Sequence, residues 1–283
     1  MQAMSKSRKA VYLGLSYFFY VAIAMVFILP VLYMFVSSFK SDAQIEKDMS
    51  TLKAFLPVGK LTLENYRASF VEKHFGKFFL NSSIVSMIVV CGATIVNAMM
   101  GYALGMLEFK GRKFLISVVI AFSIIPSEAV IINRFLVALK LGIINSYWGL
   151  AAPLIGHTMY IFLYYNHFRG MPKELQEAAV VDGETYAGIF WKIMIPLSKP
   201  ILATVAIMAF IGAWGDLLWP ALVTRNETFR TLPLALRGLD TDVYTFWGQI
   251  FTFATLMTLP VFAVFLAFQK QFIASLAMTG IKG

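Results

Sequence analysis

Charged residues and cysteine are what this chain has least of. Asp, Glu, Lys and Arg make up 14% of its 283 residues, against about 25% in a soluble domain. The one cysteine, Cys91, excludes an intrachain disulfide framework and a multi-cysteine metal site. The three histidines, His74, His157 and His167, are too widely spaced for an ordinary zinc site. There is no Gly-x-x-x-x-Gly-Lys-Ser/Thr phosphate loop, since Gly59-Lys60 lacks the upstream glycine. Ser-His-Asp, Cys-His and His-Glu-x-x-His arrangements are missing as well. The chain is therefore read as a non-enzyme that binds no cofactor or metal of its own.

What is abundant is apolar sequence. Hydrophobic residues reach 59%, and mean hydropathy is +0.74, beyond what one globular core can hide. Lipid must supply part of the solvent. Stretches free of Asp, Glu, Lys and Arg run over Ala10–Phe39, Phe78–Leu107, Leu141–Phe168 and Val243–Gln269. Two more are interrupted once each, Phe114–Asn133 by Glu128 and Pro200–Thr224 by Asp216. A helix crosses the hydrocarbon core in about 20 residues, and continuous runs do not suit transmembrane strands. The reading is an all-α, polytopic membrane protein, one transmembrane domain over 1–283. Its six spans are placed at about 12–36, 80–105, 114–134, 147–168, 201–223 and 246–268. The first run is too long for a signal-peptide h-region and is read as a retained helix, bent at Pro30.

The formal charge of +9 belongs to topology and not to nucleic acid, because the cations sit between apolar runs. Lys6, Arg8 and Lys9 precede the first span, and Lys110, Arg112 and Lys113 follow the second. Both clusters favour the cytoplasm. A full count splits the cations evenly between the two sides, so N-in, C-in is favoured by the clusters alone.

The segment 170–199 is too polar to span and too patterned for a plain linker. Pro172 and Glu174 suit a helix start, and Gly183 suits a helix end. Asp182 is expected to cap a second helix that stops at Pro196. Tyr186, Ile189, Phe190 and Ile193 would form its apolar face. Two readings of this helix pair stand on pattern alone. It docks a partner through the small residues Ala178 and Ala179, or it packs only on the chain's own spans.

The sequence Glu177-Ala178-Ala179-Val180-Val181-Asp182-Gly183, followed by Ile195-Pro196-Leu197, resembles the EAA loop of ABC importer permeases. Ser37-Ser38-Phe39-Lys40, Leu63-Glu64-Asn65-Tyr66, Leu80-Asn81-Ser82, Phe109-Lys110-Gly111-Arg112-Lys113 and Asn145-Ser146-Tyr147-Trp148-Gly149-Leu150 resemble the carbohydrate-uptake branch. The ending Gly280-Ile281-Lys282-Gly283 is similar to the tail of the maltose-type second permease subunit. The resemblance implies the following division of labour. The chain would pair with a second, non-identical permease, two cytoplasmic ATPases that bind ATP and Mg, and an extracytoplasmic solute-binding protein. It would sit in a bacterial or archaeal cytoplasmic membrane. Glu177, Ala178, Ala179, Asp182, Gly183 and Pro196 would couple to an ATPase, with Gly280, Lys282 and Gly283 a second contact. The implied cargo is a sugar or oligosaccharide, with glycerol phosphate or a polyol as the alternative. A passive channel would need no ATPase-docking loop, and an intramembrane enzyme lacks its catalytic constellation.

Acids inside spans are costly and face a bundle interior or a watery cavity. Asp216, Glu128 and the aromatic Trp214 are the candidates for a substrate pathway, with polar packing as the competing reading. Gly215 stands where the family commonly has Asn. Gly101 and Gly105 allow close helix approach, either at a subunit interface or inside the chain.

Overall fold

The computed structural model describes residues 6–240 and 244–280, with side chains over 12–240 and 244–269. The elements are α-helical, with two isolated bridges, Lys40–Leu61 and Asp240–Thr245, among the described residues. Three helices are long, unbroken and apolar: α1 (Lys6–Ser37), α4 (Phe75–Met106) and, near the C-terminus, a helix over Trp247–Gly280. By length and composition they are candidates to cross a membrane, and they cover the stretches 12–36, 80–105 and 246–268 expected as spans. Pro30 lies within α1 without breaking it.

One domain is expected from the sequence, and the fold groups the chain into two compact units. One comprises Met1–Phe75 with Leu236–Leu259, the other Gly76–Ala235 with Pro260–Gly283.

In the first unit, the Tyr12–Ser37 run of α1 buries little of itself. Tyr12, Tyr17, Phe18, Phe19 and Phe27 are all exposed, as a lipid-facing helix requires. The end of α1 is pinned by the segment after it, α2 (Asp42–Asp48) and α3 (Glu64–Val71). The Asn65 amide donates to Ser38 O at 2.9 Å and to Lys40 O at 2.7 Å. These are carbonyls that a helix end leaves without intrahelical partners. Lys40 is fully buried and pairs with Asp48 at 2.9 Å. Asp42 accepts from Tyr244 OH and Gly248 N, both at 2.7 Å.

The second unit is built on α4. Gly101 lies against Tyr164, and a Cβ at Gly105 would stand 3.0 Å from the Phe168 Cβ. Both aromatics belong to α8 (Thr158–Arg169). Within this unit the glycine pair therefore serves internal packing. Val89, Ala93, Ala98 and Tyr102 of α4 join Tyr164 and Phe168 in one buried cluster.

Three expected spans are not single helices. The 114–134 stretch divides into α5 (Arg112–Ser123), a 3-10 turn at Ser127–Val130 and α6 (Ile131–Lys140), bent by 98°. Pro126 cannot donate a backbone hydrogen bond and holds an extended conformation there. The 147–168 stretch divides into α7 (Tyr147–Ile155) and α8, with Gly156 and His157 extended between them. The 201–223 stretch breaks at Asp216. Four short elements make up the segment before that stretch: α9 (Glu174–Val181), then α10 (Tyr186–Ile189), a π turn at Phe190–Met194 and α11 (Ile195–Leu197). α12 (Lys199–Gly215) follows after an 83° bend, then α13 (Leu218–Val223) and α14 (Leu232–Arg237), which places Trp247–Gly280 as α15.

Breaks at membrane depth free backbone groups that must be satisfied inside the protein. Asn97 of α4 satisfies one break from both sides. Its Nδ2 donates to Ile155 O at 2.8 Å, and its Oδ1 accepts from His157 N at 3.1 Å. Asn81 does similar work, donating to Thr228 O and Arg230 O at 2.9 Å and accepting from Tyr147 OH at 2.7 Å. Arg112 closes the end of α4 by donating to Leu104 O and Gly105 O at 2.7 Å.

Candidate functional site

The loop 170–199 is a hairpin of two short helices. α9 ends on a left-handed Gly183, φ +82°. Gly183 N donates to Val180 O at 3.0 Å and Glu184 N to Ala179 O at 2.9 Å, the paired bonds of a Schellman motif. Asp182 is the residue at the end of α9 and does not cap the next helix. That cap is Thr185, whose hydroxyl accepts from Gly188 N at 3.1 Å. The Lys192–Glu184 ion pair, 2.6 Å, clasps the turn to the second helix. The hydrogen bond from Lys192 holds the Glu184 carboxyl below the usual carboxylate range. Pro196 does not stop that helix. The chain runs through it to Leu197 and bends at Ser198, whose hydroxyl donates to Met194 O at 2.6 Å.

The two sides of this hairpin differ. Ala179 is 7% exposed and packs into the buried cluster with Ile189, Phe190 and Met194. Ala179 therefore anchors the hairpin to its own unit instead of offering a small surface outward. Glu177, Ala178, Asp182 and Gly183 face solvent. Val181 is 87% exposed, and Val180, Tyr186 and Trp191 are exposed beside it. Tyr186 thus leaves the apolar face assigned to it, which consists of Ile189 and Phe190 with the half-buried Ile193. The valines were legible as part of the motif, but their exposure was not. Gln176 accepts from Tyr102 OH at 3.1 Å, and Lys173 pairs with Glu108 at 3.1 Å, so α9 is tied to α4 and to the residues just after it.

The expected substrate-pathway residues separate. Trp214 is buried, with ring contacts to Phe79 at 5.6 Å and Phe210 at 5.5 Å. Asp216 and Glu128 instead line one cavity of about 430 Å³, together with Arg134, His157, Tyr160 and Trp219. Asp216 also accepts from Trp219 N at 3.2 Å, capping α13. Gly280 is the last residue of α15, and Lys282 and Gly283 lie outside the described residues. Among the described residues no group of His, Cys, Asp and Glu is placed to hold a metal.

Residues 97–277 match the family model described as binding-protein-dependent transport system inner membrane component. The chain belongs to this family. It is a multi-pass membrane permease subunit of the ABC importer type. Subunits of this kind work with a partner permease, an ATPase and a solute-binding protein. The permease is 34% identical over 262 residues to the arabinooligosaccharides transport system permease protein of Halalkalibacterium halodurans, covering 92% of this chain and 93% of that one. It is 31% identical to the galactooligosaccharides transport system permease protein of Bacillus subtilis, covering 100% of both. Its fold matches a chain in the crystal structure of a bacterial ABC transporter involved in the import of alginate. There the TM-score is 0.83 at 23% identity, covering 95% of this chain and 99% of that one.

Proposed function

We propose that this chain is one of two non-identical permease subunits of an ATP-driven importer for a sugar or oligosaccharide. The hairpin 170–199 is its coupling element to a cytoplasmic ATPase. The observation that carries this reading is the two-sidedness of α9. Ala179 fixes the helix to the permease core, while Glu177, Ala178 and Val181 stay open to a partner. Val180 and Val181, exposed together with Tyr186 and Trp191 on a polar loop, fit a protein-docking surface. Gly183 supplies the turn, Asp182 a charge at its edge, and Pro196 the stretch before the bend into α12. The tail with Gly280, Lys282 and Gly283 is a second ATPase contact in the same proposal.

The basic clusters around Lys6 and Lys110 support cytoplasmic N and C termini, six crossings in all, and a cytoplasmic coupling loop, in a bacterial or archaeal cytoplasmic membrane. ATP and Mg belong to the ATPases, and this chain binds neither. Carbohydrate as cargo is supported by the arabino- and galactooligosaccharide transport relatives and by a trehalose transport system permease protein of Mycobacterium tuberculosis, 30% identical. Glycerol phosphate and polyols have no such support among these relatives. The test is Ala178→Asp in a reconstituted transporter. Membrane insertion should be unchanged while ATP-driven uptake is lost, and uptake at the wild-type rate would refute the coupling assignment.

A further inference from the structure

Three helix breaks meet at one place. Ser127 and Glu128 come from the α5–α6 break, Gly156 and His157 from the α7–α8 break, and Gly215 and Asp216 from the α12–α13 break. All six line the same cavity. Irregular backbone at membrane depth is tolerated where it is buried in protein or lines a water-filled cavity, and broken helices mark substrate sites in other transporter folds. The charges say which of these applies. Glu128, Arg134 and Asp216 line the cavity, yet none takes part in an ion pair among the described residues. Glu128 accepts from the Ser127 hydroxyl at 2.8 Å and from its own backbone N–H, and Asp216 from Leu218 N and, at 3.2 Å, Trp219 N, so each carboxylate keeps acceptor sites for a further partner. The Arg134 guanidinium lies 5.8 Å from the Trp219 ring centroid. Charged groups so placed need water or a polar ligand. The volume, about 430 Å³, falls within the roughly 300–1,000 Å³ of small-molecule sites.

We infer that this cavity is where the chain itself contacts cargo, and that it takes neutral polyhydroxylated cargo while rejecting anions. The inference rests on the permease reading above. The two carboxylates accept hydrogen bonds from sugar hydroxyls, and Arg134 donates to ring or glycosidic oxygens. Two carboxylates against one guanidinium leave the cavity net negative. A phosphorylated or carboxylated sugar would meet repulsion that a neutral one does not. Trp214, packed away from the cavity, takes no part, whereas Arg134, His157 and Tyr160 enter the site without having been singled out by the sequence.

The test uses the complete transporter in proteoliposomes. Ser127→Cys is introduced in a Cys91→Ser background and labelled with methanethiosulfonate reagents of similar size, one cationic and one anionic. The inference expects cationic labelling about tenfold faster, and a ratio near one when Asp216→Asn and Glu128→Gln are added. Asn at 216 keeps the oxygen that caps α13, so the fold is preserved. Equal labelling by both reagents, faster labelling by the anion, or a cysteine at 127 that no aqueous reagent reaches would overturn the inference. Uptake by the wild-type transporter is measured in parallel with arabinotriose, galactobiose and trehalose as neutral probes and glycerol 3-phosphate as the anionic one. Failure of every sugar there counts against the sugar-cargo reading above and, with it, against a cavity that takes neutral polyhydroxylated cargo, whereas the labelling ratio reads the cavity's charge separately. Transport of glycerol 3-phosphate in preference to the sugars would overturn the inference directly.

Discussion

Lys40 and Asp48 form a 2.9 Å ion pair with both side chains buried, directly after the first membrane helix. Lys40 also donates to Lys53 O at 2.6 Å, so the lysine gathers the extramembrane segment around itself. Removing one partner leaves a buried charge alone, whereas replacing both with apolar residues is often tolerated. Lys40→Met should therefore lower the Tm in detergent markedly, and Lys40→Met with Asp48→Leu should recover most of that loss. Equal Tm values for the wild type and Lys40→Met would contradict the pair's structural role.

The same pair gives a pH dependence. The hydrogen bond from Lys40 holds the Asp48 carboxyl below its ordinary range. A group with a depressed folded-state pKa contributes stability that is fully present above its unfolded value, about 3.9. That stability is lost as pH falls through the lower folded value. The Tm difference between the wild type and Asp48→Asn should accordingly be constant near neutrality and shrink as pH drops below about 4. A difference that does not change down to strong acid would contradict this linkage.

Asn97 holds the α7–α8 break together by two hydrogen bonds. Asn97→Leu is close in size but strips the partners from Ile155 O and His157 N. Each buried backbone group left unsatisfied costs about 1–3 kcal/mol. Thermal unfolding should show a loss of that order. No change in Tm would mean that water replaces the amide.

Gly101 and Gly14 make a controlled comparison. A Cβ at Gly101 would run into Tyr164, while one at Gly14 meets nothing within 4 Å. Gly101→Ala should reduce the yield of folded protein and Gly14→Ala should not, as judged by size-exclusion profiles. Similar profiles for the two would argue against tight α4–α8 packing.

Gly183 separates fold from coupling. Its φ of +82° is unfavourable for any other residue, while the space around it is open. Gly183→Ala should cost about 1 kcal/mol through the backbone alone. Gly183→Pro also loses the N–H that bonds Val180 O, so it should abolish uptake while the protein still inserts.

Much of this was legible because apolar runs and helix lengths obey the same arithmetic. The long apolar helices over 12–36, 80–105 and 246–268 needed only a count of uncharged residues. The broken spans were not legible in that way, since hydropathy averages over Gly156-His157 and Asp216 without registering a change of direction. Pro126 was a visible breaker, whereas Asn97 was not. An asparagine within an apolar run reads as a blemish until the loose backbone ends it serves are seen. The hairpin showed a similar split. Gly183 announced its turn, but Thr185 displaced Asp182 as the cap because the Schellman bonds already occupy the residues around Asp182. Ala178 and Ala179 are adjacent letters of one motif, and only the helix phase sends one outward and the other into the core.

The central claim, that the open side of α9 meets an ATPase, is tested most directly by a photo-crosslinking amino acid at position 181 in the assembled transporter. The account predicts a covalent adduct between this chain and the ATPase subunit, lost when Gly183→Pro is added. An adduct confined to lipid or to this chain itself, with the ATPase still bound and uptake intact, would contradict it.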